Sequence, residues 1–144
     1  MSKEIQNIAQ NENFKAVYVG PWAEIAQFVT EDVKGKVFLK EALGTSGSEL
    51  SVGALPAHTT LPFFHAHKQN EELYIVLHGS GKMQVDEDVF ELREGSVVRV
   101  SPKGARSLRS GADGLVYLCL QTKEGSLEEW TGKDAVFTQT SAKW

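Results

Sequence analysis

Two histidines spaced two apart, with a carboxylate pair just beyond them, are the residues in this chain best suited to chemistry. His65 and His67 lie in Pro62-Phe63-Phe64-His65-Ala66-His67, and Glu71 and Glu72 follow the turn-like Lys68-Gln69-Asn70. In an extended strand alternate side chains share a face, so His65 and His67 point the same way. Their Cα atoms then stand about twice the ~3.3 Å strand rise apart, close enough for both imidazoles to reach one ion. A carboxylate at the start of the returning strand, Glu71 or Glu72, would complete a set of two imidazoles and one carboxylate. Such donors suit divalent Fe, Mn, Ni or Zn, and ligand type does not choose among them.

Short strands broken by turns must position these groups. From residue 36 onward the chain reads as strands over 36–41, 49–55, 63–67, 72–77, 82–85, 89–92, 96–100, 106–109 and 115–121. Gly44-Thr45-Ser46-Gly47 and Gly79-Ser80-Gly81 read as turns between them, and Asp86-Glu87-Asp88 as a hairpin tip. Ahead of them, 14–19 reads as an edge strand. Trp22, Ile25, Ala26 and Val29 recur at helical spacing behind Pro21, which predicts a short N-terminal amphipathic helix. Residues 1–13 are polar and expected to fray or lie along the surface, and the tail predicts one helical turn from Ser126 and a last strand over 135–138. With no long helix between the strands, the fold class is all-β, an antiparallel sandwich or barrel. One domain over 1–144 is expected, with its core roughly within 36–122.

Strand parity sorts the side chains. If His65, His67 and Glu72 face inward, Phe63, Tyr74 and Val76 line the cavity beside them. Leu73, Ile75 and Leu77 then form an outer apolar stripe. Either the Trp22 helix or a second subunit must cover it, so a homodimer is expected.

Composition narrows the partners. The 144 residues carry a net charge of −4 and no long basic run, which argues against nucleic acid. Cys119 is the lone cysteine, so no intrachain disulfide can form and a cytoplasmic setting is expected. The N-terminus has no apolar stretch of signal-peptide type, and no apolar run approaches the ~18 residues of a membrane-spanning helix. Neither a P-loop nor a dinucleotide glycine motif is present, which disfavours nucleotide chemistry. A small-molecule ligand is the expected partner. His58 and His78 read as surface residues, and Cys119, in mid-strand, as a packing residue.

The stretch around His65 resembles the first motif of the cupins, G-x5-H-x-H-x3/4-E-x6-G. His65, His67, Glu72 and Gly79 fit it, with Thr59 in place of the leading glycine. The resemblance selects Glu72 over Glu71 as the carboxylate ligand and implies a jelly-roll β-barrel over about 45–122. The second cupin motif, G-x5-P-x-G-x2-H-x3-N, is degenerate. Counting from Gly95 puts Arg106 at the histidine and Ser110 at the asparagine, with Pro102 and Gly104 displaced by one. A guanidinium is always cationic and has no lone pair for a metal, so Arg106 cannot act as the fourth ligand. The implied metal set is therefore His65, His67 and Glu72. Arg106, with Phe63 and Tyr74 as walls, would bind the negative charge of a substrate. The resemblance implies a metal-dependent oxygenase or related enzyme acting on a small organic anion, or a non-catalytic module holding a metabolite or metal.

Overall fold

The computed structural model describes residues 3–30 and 33–144. In chain order its elements are β1 (Gln6–Asn11), β2 (Phe14–Tyr18), a 3-10 turn (Trp22–Gln27), β3 (Val29–Thr30), β4 (Val33–Lys34) and β5 (Lys36–Phe38). There follow α1 (Lys40–Leu43), β6 (Glu49–Leu55), β7 (Asn70–Val85), β8 (Asp88–Arg93), β9 (Val97–Val100), β10 (Arg106–Lys123) and α2 (Thr131–Asp134). β1 pairs with β2 and β3 with β4, while the main sheet runs β5-β6-β10-β7-β8 with β9 also on β7. All pairings are antiparallel.

Two long strands make the barrel. β7 and β10 pair along almost their whole length, from Arg106 opposite Val85 to Lys123 opposite Asn70. The first half of β7 takes β9 as its other neighbour and the second half takes β8, so the sheet wraps around one interior. The bend falls at Gly79, where the φ of +84° is left-handed and a Cβ would overlap the carbonyl oxygen of Gly114. Gly79-Ser80-Gly81 is therefore no turn, as its composition predicts, but a close crossing inside a continuous strand. The interior holds Tyr74, Val76, Met83, Leu92, Val100, Leu108, Leu115, Tyr117 and Cys119.

A second apolar cluster lies on the other side of the sheet. Ile25 and Phe28 from the N-terminal segment pack there on Val37, Val52 and Val116, with Leu77 and Leu118 at its margin. The N-terminal segment is a 3-10 turn rather than the expected α-helix. Glu24 N–H donates to Pro21 and Phe28 N–H to Ile25, each at 3.0 Å, and Trp22 is exposed. The burial spacing is thus i, i+3. The side chain of Val29 lies outside the described residues. Leu77 of the predicted outer stripe is covered here. Leu73 and Ile75 stay half-buried, and Val97, opposite Ile75, is exposed.

Other expectations need correction. Of the two expectations for the N-terminal residues, 6–11 take the second: they do not fray but pair with β2 along the surface, every side chain of β1 exposed. Residues 63–67 form no strand. Instead 58–67 runs irregularly along the first half of β10, joined to it by isolated bridges at Thr60–Arg109 and His65–Arg106. β5 stops at Phe38, and the next residues turn into α1. In the tail the helical turn starts at Thr131 rather than Ser126, and no strand forms over 135–138. That tail is exposed throughout, with Leu127, Trp130, Val136, Phe137 and Trp144 in solvent. No described helix is long and apolar enough to cross a membrane.

Candidate metal centre

Each element brings one component. Glu72, near the start of β7, points inward between Val100 of β9 and Gln121 of β10, and its side chain is only 3% exposed. His65 is fixed by a reciprocal backbone pair with the first residue of β10. Its N–H donates to the Arg106 carbonyl at 3.2 Å, and Arg106 N–H returns a bond at 3.0 Å. His67 N–H donates to the Pro102 carbonyl at 2.8 Å. The two imidazoles meet edge to face with ring centres 5.1 Å apart. Both present Nε2 to one oxygen, Glu72 Oε1, at 3.5 Å from His65 and 3.3 Å from His67.

These distances suit a shared ion. Two ligand atoms about 2.1 Å from one metal stand about 3.0–3.4 Å apart for angles between octahedral and tetrahedral. One donor atom from each of His65, His67 and Glu72 lies within 4.8 Å of the others. His67 Nε2 is buried and has no hydrogen-bond partner, which a metal would supply. The donor chemistry and spacing fit a divalent ion.

Three further side chains close around the same carboxylate. Tyr74 O–H donates to Glu72 Oε1 at 2.8 Å, and the Cys119 thiol donates to Oε2 at 3.0 Å. Tyr74 and Cys119 face each other across β7 and β10. Arg106 is 1% exposed. One guanidinium nitrogen donates to the Ser101 carbonyl at 2.7 Å and another stands 3.3 Å from Glu72 Oε1. The Nε and NH1 groups of Arg106 lack a hydrogen-bond partner.

The protonation states follow. Burial pushes the Glu72 carboxyl upward, but the donors Cys119 and Tyr74, with His67 and Arg106, outweigh it and hold the pKa below the ordinary value. Burial lowers the pKa of His65, more than the neighbouring Glu72 raises it, and so favours the neutral imidazole a metal requires. Cys119 is pushed up to about 12, by burial first and then by Glu72, and Tyr74 is raised for the same two reasons, with Cys119 adding to them. Both therefore remain protonated donors.

The other sequence candidates fall elsewhere. Phe63 is 54% exposed, with its ring centre 6.0 Å from that of His65, so it stands at the outer edge rather than walling an inner cavity. Tyr74 is buried and engages the carboxylate itself. Glu71 pairs with Arg99 at 3.1 Å, outside the site. Cys119 is the residue that sequence reasoning set aside as packing. Its parity with Tyr117 in β10 was the available signal. A cleft of about 480 Å³ lined by Lys68, Ser101, Lys103 and Lys123 adjoins His67 and the Ser101 carbonyl that holds Arg106. Two clefts lined by Lys82 and Arg109, one of them also by His58, share no residue with the His–His–Glu set.

Comparison with known proteins agrees with this fold. The family model described as Cupin domain (Cupin_2) matches residues 52–119. A crystal structure of a cupin protein (BF4112) from Bacteroides fragilis superposes with a TM-score of 0.69. It is 40% identical, over 76% of this chain and 92% of that one. The chain is a cupin. The uncharacterized protein MJ1618 of Methanocaldococcus jannaschii is 34% identical over 56 residues, 38% of this chain, and the match spans 45% of that protein's length. A putative sugar phosphate isomerase from Acidithiobacillus ferrooxidans shares the fold at 22% identity and a TM-score of 0.55, over 61% of this chain and 58% of that one. Membership of the cupins accounts for the all-β barrel.

Proposed function

We propose that this cupin binds a divalent ion through His65, His67 and Glu72 and uses it on a small organic anion, as a metal-dependent oxygenase or related enzyme. The observation that supports this most is the convergence of both imidazole Nε2 atoms on one carboxylate oxygen, at 3.3 and 3.5 Å. Bound there, the ion would supply Lewis acidity and, if it is iron or manganese, a redox couple for O2. Tyr74 and Cys119 hold the Glu72 carboxylate in one orientation from either oxygen. Arg106 neutralises the negative charge of the substrate, and Phe63 shields the outer edge beside His65.

The second reading is a non-catalytic module that holds a metabolite or a metal. It is favoured by Arg106, which already faces the Glu72 charge at 3.3 Å and could hold the site together without a metal. Purified protein is assayed for bound Fe, Mn, Ni and Zn, and for oxygen uptake with diketones, phenols and keto acids. Turnover that vanishes in His65→Ala supports the enzyme. Metal without turnover supports the module, and metal content unchanged in His65→Ala discards the site.

We further propose a homodimer formed through Leu73, Ile75 and Val97, the apolar positions of the sheet face that the N-terminal segment leaves uncovered. Sedimentation of wild type against Ile75→Glu tests it, and a monomeric wild type refutes it. A reducing cytoplasm suits the lone buried thiol of Cys119.

A further inference from the structure

A sheet edge with unpaired backbone groups invites a strand from elsewhere unless charge or a covering segment guards it. At one end of the main sheet the N-terminal segment lies beside the start of β5, where Gly35 N–H donates to the Phe28 carbonyl at 2.8 Å. At the other end β8 carries Asp88, Glu91 and Arg93, charges that discourage pairing. β9 lacks such protection. It pairs with β7 on one side and meets no strand on the other among the described residues. Its sequence is Val-Val-Arg-Val. Val97 is 65% exposed, and the single charge, Arg99, is already engaged by Glu71 and Glu124 at 3.1 and 2.9 Å. Leu73 and Ile75 stay half-buried beside it.

The tail has the opposite deficiency. Ala135-Val136-Phe137-Thr138 has the β-branched and aromatic composition of a strand. Ala135 is extended, at φ −71° and ψ 138°. Yet Val136 is 82% exposed and Phe137 fully exposed, and a strand without a partner is not stable in water. Within one chain the segment stands clear of β9, since every residue from 123 to 144 is exposed.

We infer that residues 135–138 of one copy add to the open edge of β9 in a second copy, with Phe137 laid against Val97 and Ile75. This arrangement rests on the homodimer through Leu73, Ile75 and Val97 proposed above, and it names the segment that covers that face. Under twofold symmetry the exchange is reciprocal and closes on two copies. Main-chain bonds along the added strand supply affinity, and the Phe137 side chain sets the register. An aromatic side chain buries about 150–250 Å². With Val136 and the area lost beneath each arm, two arms remove on the order of 1,000 Å² from water, the size a specific interface needs. Trp130 and Trp144 lie outside the segment and remain in solvent.

The full chain is examined by sedimentation equilibrium. Wild type is expected to be a dimer, and Phe137→Asp is expected to raise its dissociation constant at least tenfold. Phe137 is fully exposed in the single chain, so this change leaves folding intact, which far-ultraviolet circular dichroism checks. Val97→Cys and Phe137→Cys on separate chains, mixed and mildly oxidised, are expected to form an interchain disulfide. Peptide mapping locates the bridge, and the buried Cys119 does not compete for it. A dissociation constant unchanged by Phe137→Asp but raised by Ile75→Glu overturns the exchange and leaves the dimer through the sheet face intact. A bridge that forms only within single chains carrying both cysteines overturns the exchange in favour of a tail that docks on its own β9. A monomeric wild type overturns both the exchange and the dimer.

Discussion

Replacing Glu72 with Gln separates charge from shape at the centre of the barrel. The amide keeps the volume of the side chain and an oxygen to accept the Tyr74 hydroxyl, now 2.8 Å from Glu72 Oε1. What it removes is the negative charge 3.3 Å from the Arg106 guanidinium, a group 1% exposed. Unit charges at that separation attract by about 5 kcal/mol at an effective dielectric constant near 20. Stranding one member of a buried ion pair costs about 3–5 kcal/mol, because the survivor remains desolvated and unpaired. Glu72→Gln should therefore lose about 3–5 kcal/mol, or roughly 10 °C or more in Tm for a chain of this size. The measurement is urea unfolding followed by far-UV circular dichroism in the presence of a chelator, so that metal binding does not contribute. Glu72→Gln combined with Arg106→Met should be more stable than Glu72→Gln alone, since no unpaired charge remains. A single variant within about 1 kcal/mol of wild type at unchanged m-value would refute the placement of Arg106 against Glu72.

Three further outcomes follow from the same contacts. Stability should fall in two stages on acidification. The folded-state pKa values of His65 and Glu72 both lie below their ordinary values of 6.5 and 4.5, so the unfolded chain binds the extra protons. Their contributions are present above those values and are lost as pH falls below them, from 6.5 downward for His65 and from 4.5 downward for Glu72; a Tm unchanged between pH 7 and pH 3 would contradict this. The Cys119 thiol, pushed up to about 12, should react with a disulfide reagent at pH 8 at the rate of barrel opening, and Cys119→Val should cost about 1–3 kcal/mol where Cys119→Ser costs less. Gly79→Ala should destabilise by about 3 kcal/mol or more, because its Cβ would meet the Gly114 carbonyl and its φ is left-handed; a thermal melt within 2 °C of wild type would contradict that.

The His–His–Glu cluster was legible because it depends on short-range spacing. His65, His67 and Glu72 lie within eight positions of one another, and alternation along β7 correctly assigned Glu72, Tyr74 and Val76 to the interior. Local pattern failed where the partner is distant. Gly79 and Gly81 carry the composition of a turn, yet they are glycines because the backbone of β10 passes too close for a side chain. The segment holding His65 reads as a strand by alternation, but it meets β10 through isolated bridges rather than a continuous ladder and owes its shape to that edge. Cys119 is opposite Tyr74 only once the β7–β10 register is known. β1 carries no apolar periodicity because none of its side chains is buried; its backbone alone does the pairing.

The placement of the aromatic residues decides how this barrel can be watched. None of the three tryptophans lies in its interior, for Trp22 sits on the N-terminal turn and Trp130 and Trp144 on the open tail. Their emission should already be red-shifted in the native state and change little in denaturant, reporting on the periphery while the interior melts unseen. Tyr74 and Tyr117, with ring centres 6.1 Å apart inside the barrel, are the chromophores that sense its integrity. A near-ultraviolet dichroism band from that pair should vanish with unfolding, and a tryptophan introduced at Leu108 would give the interior a fluorescent voice of its own.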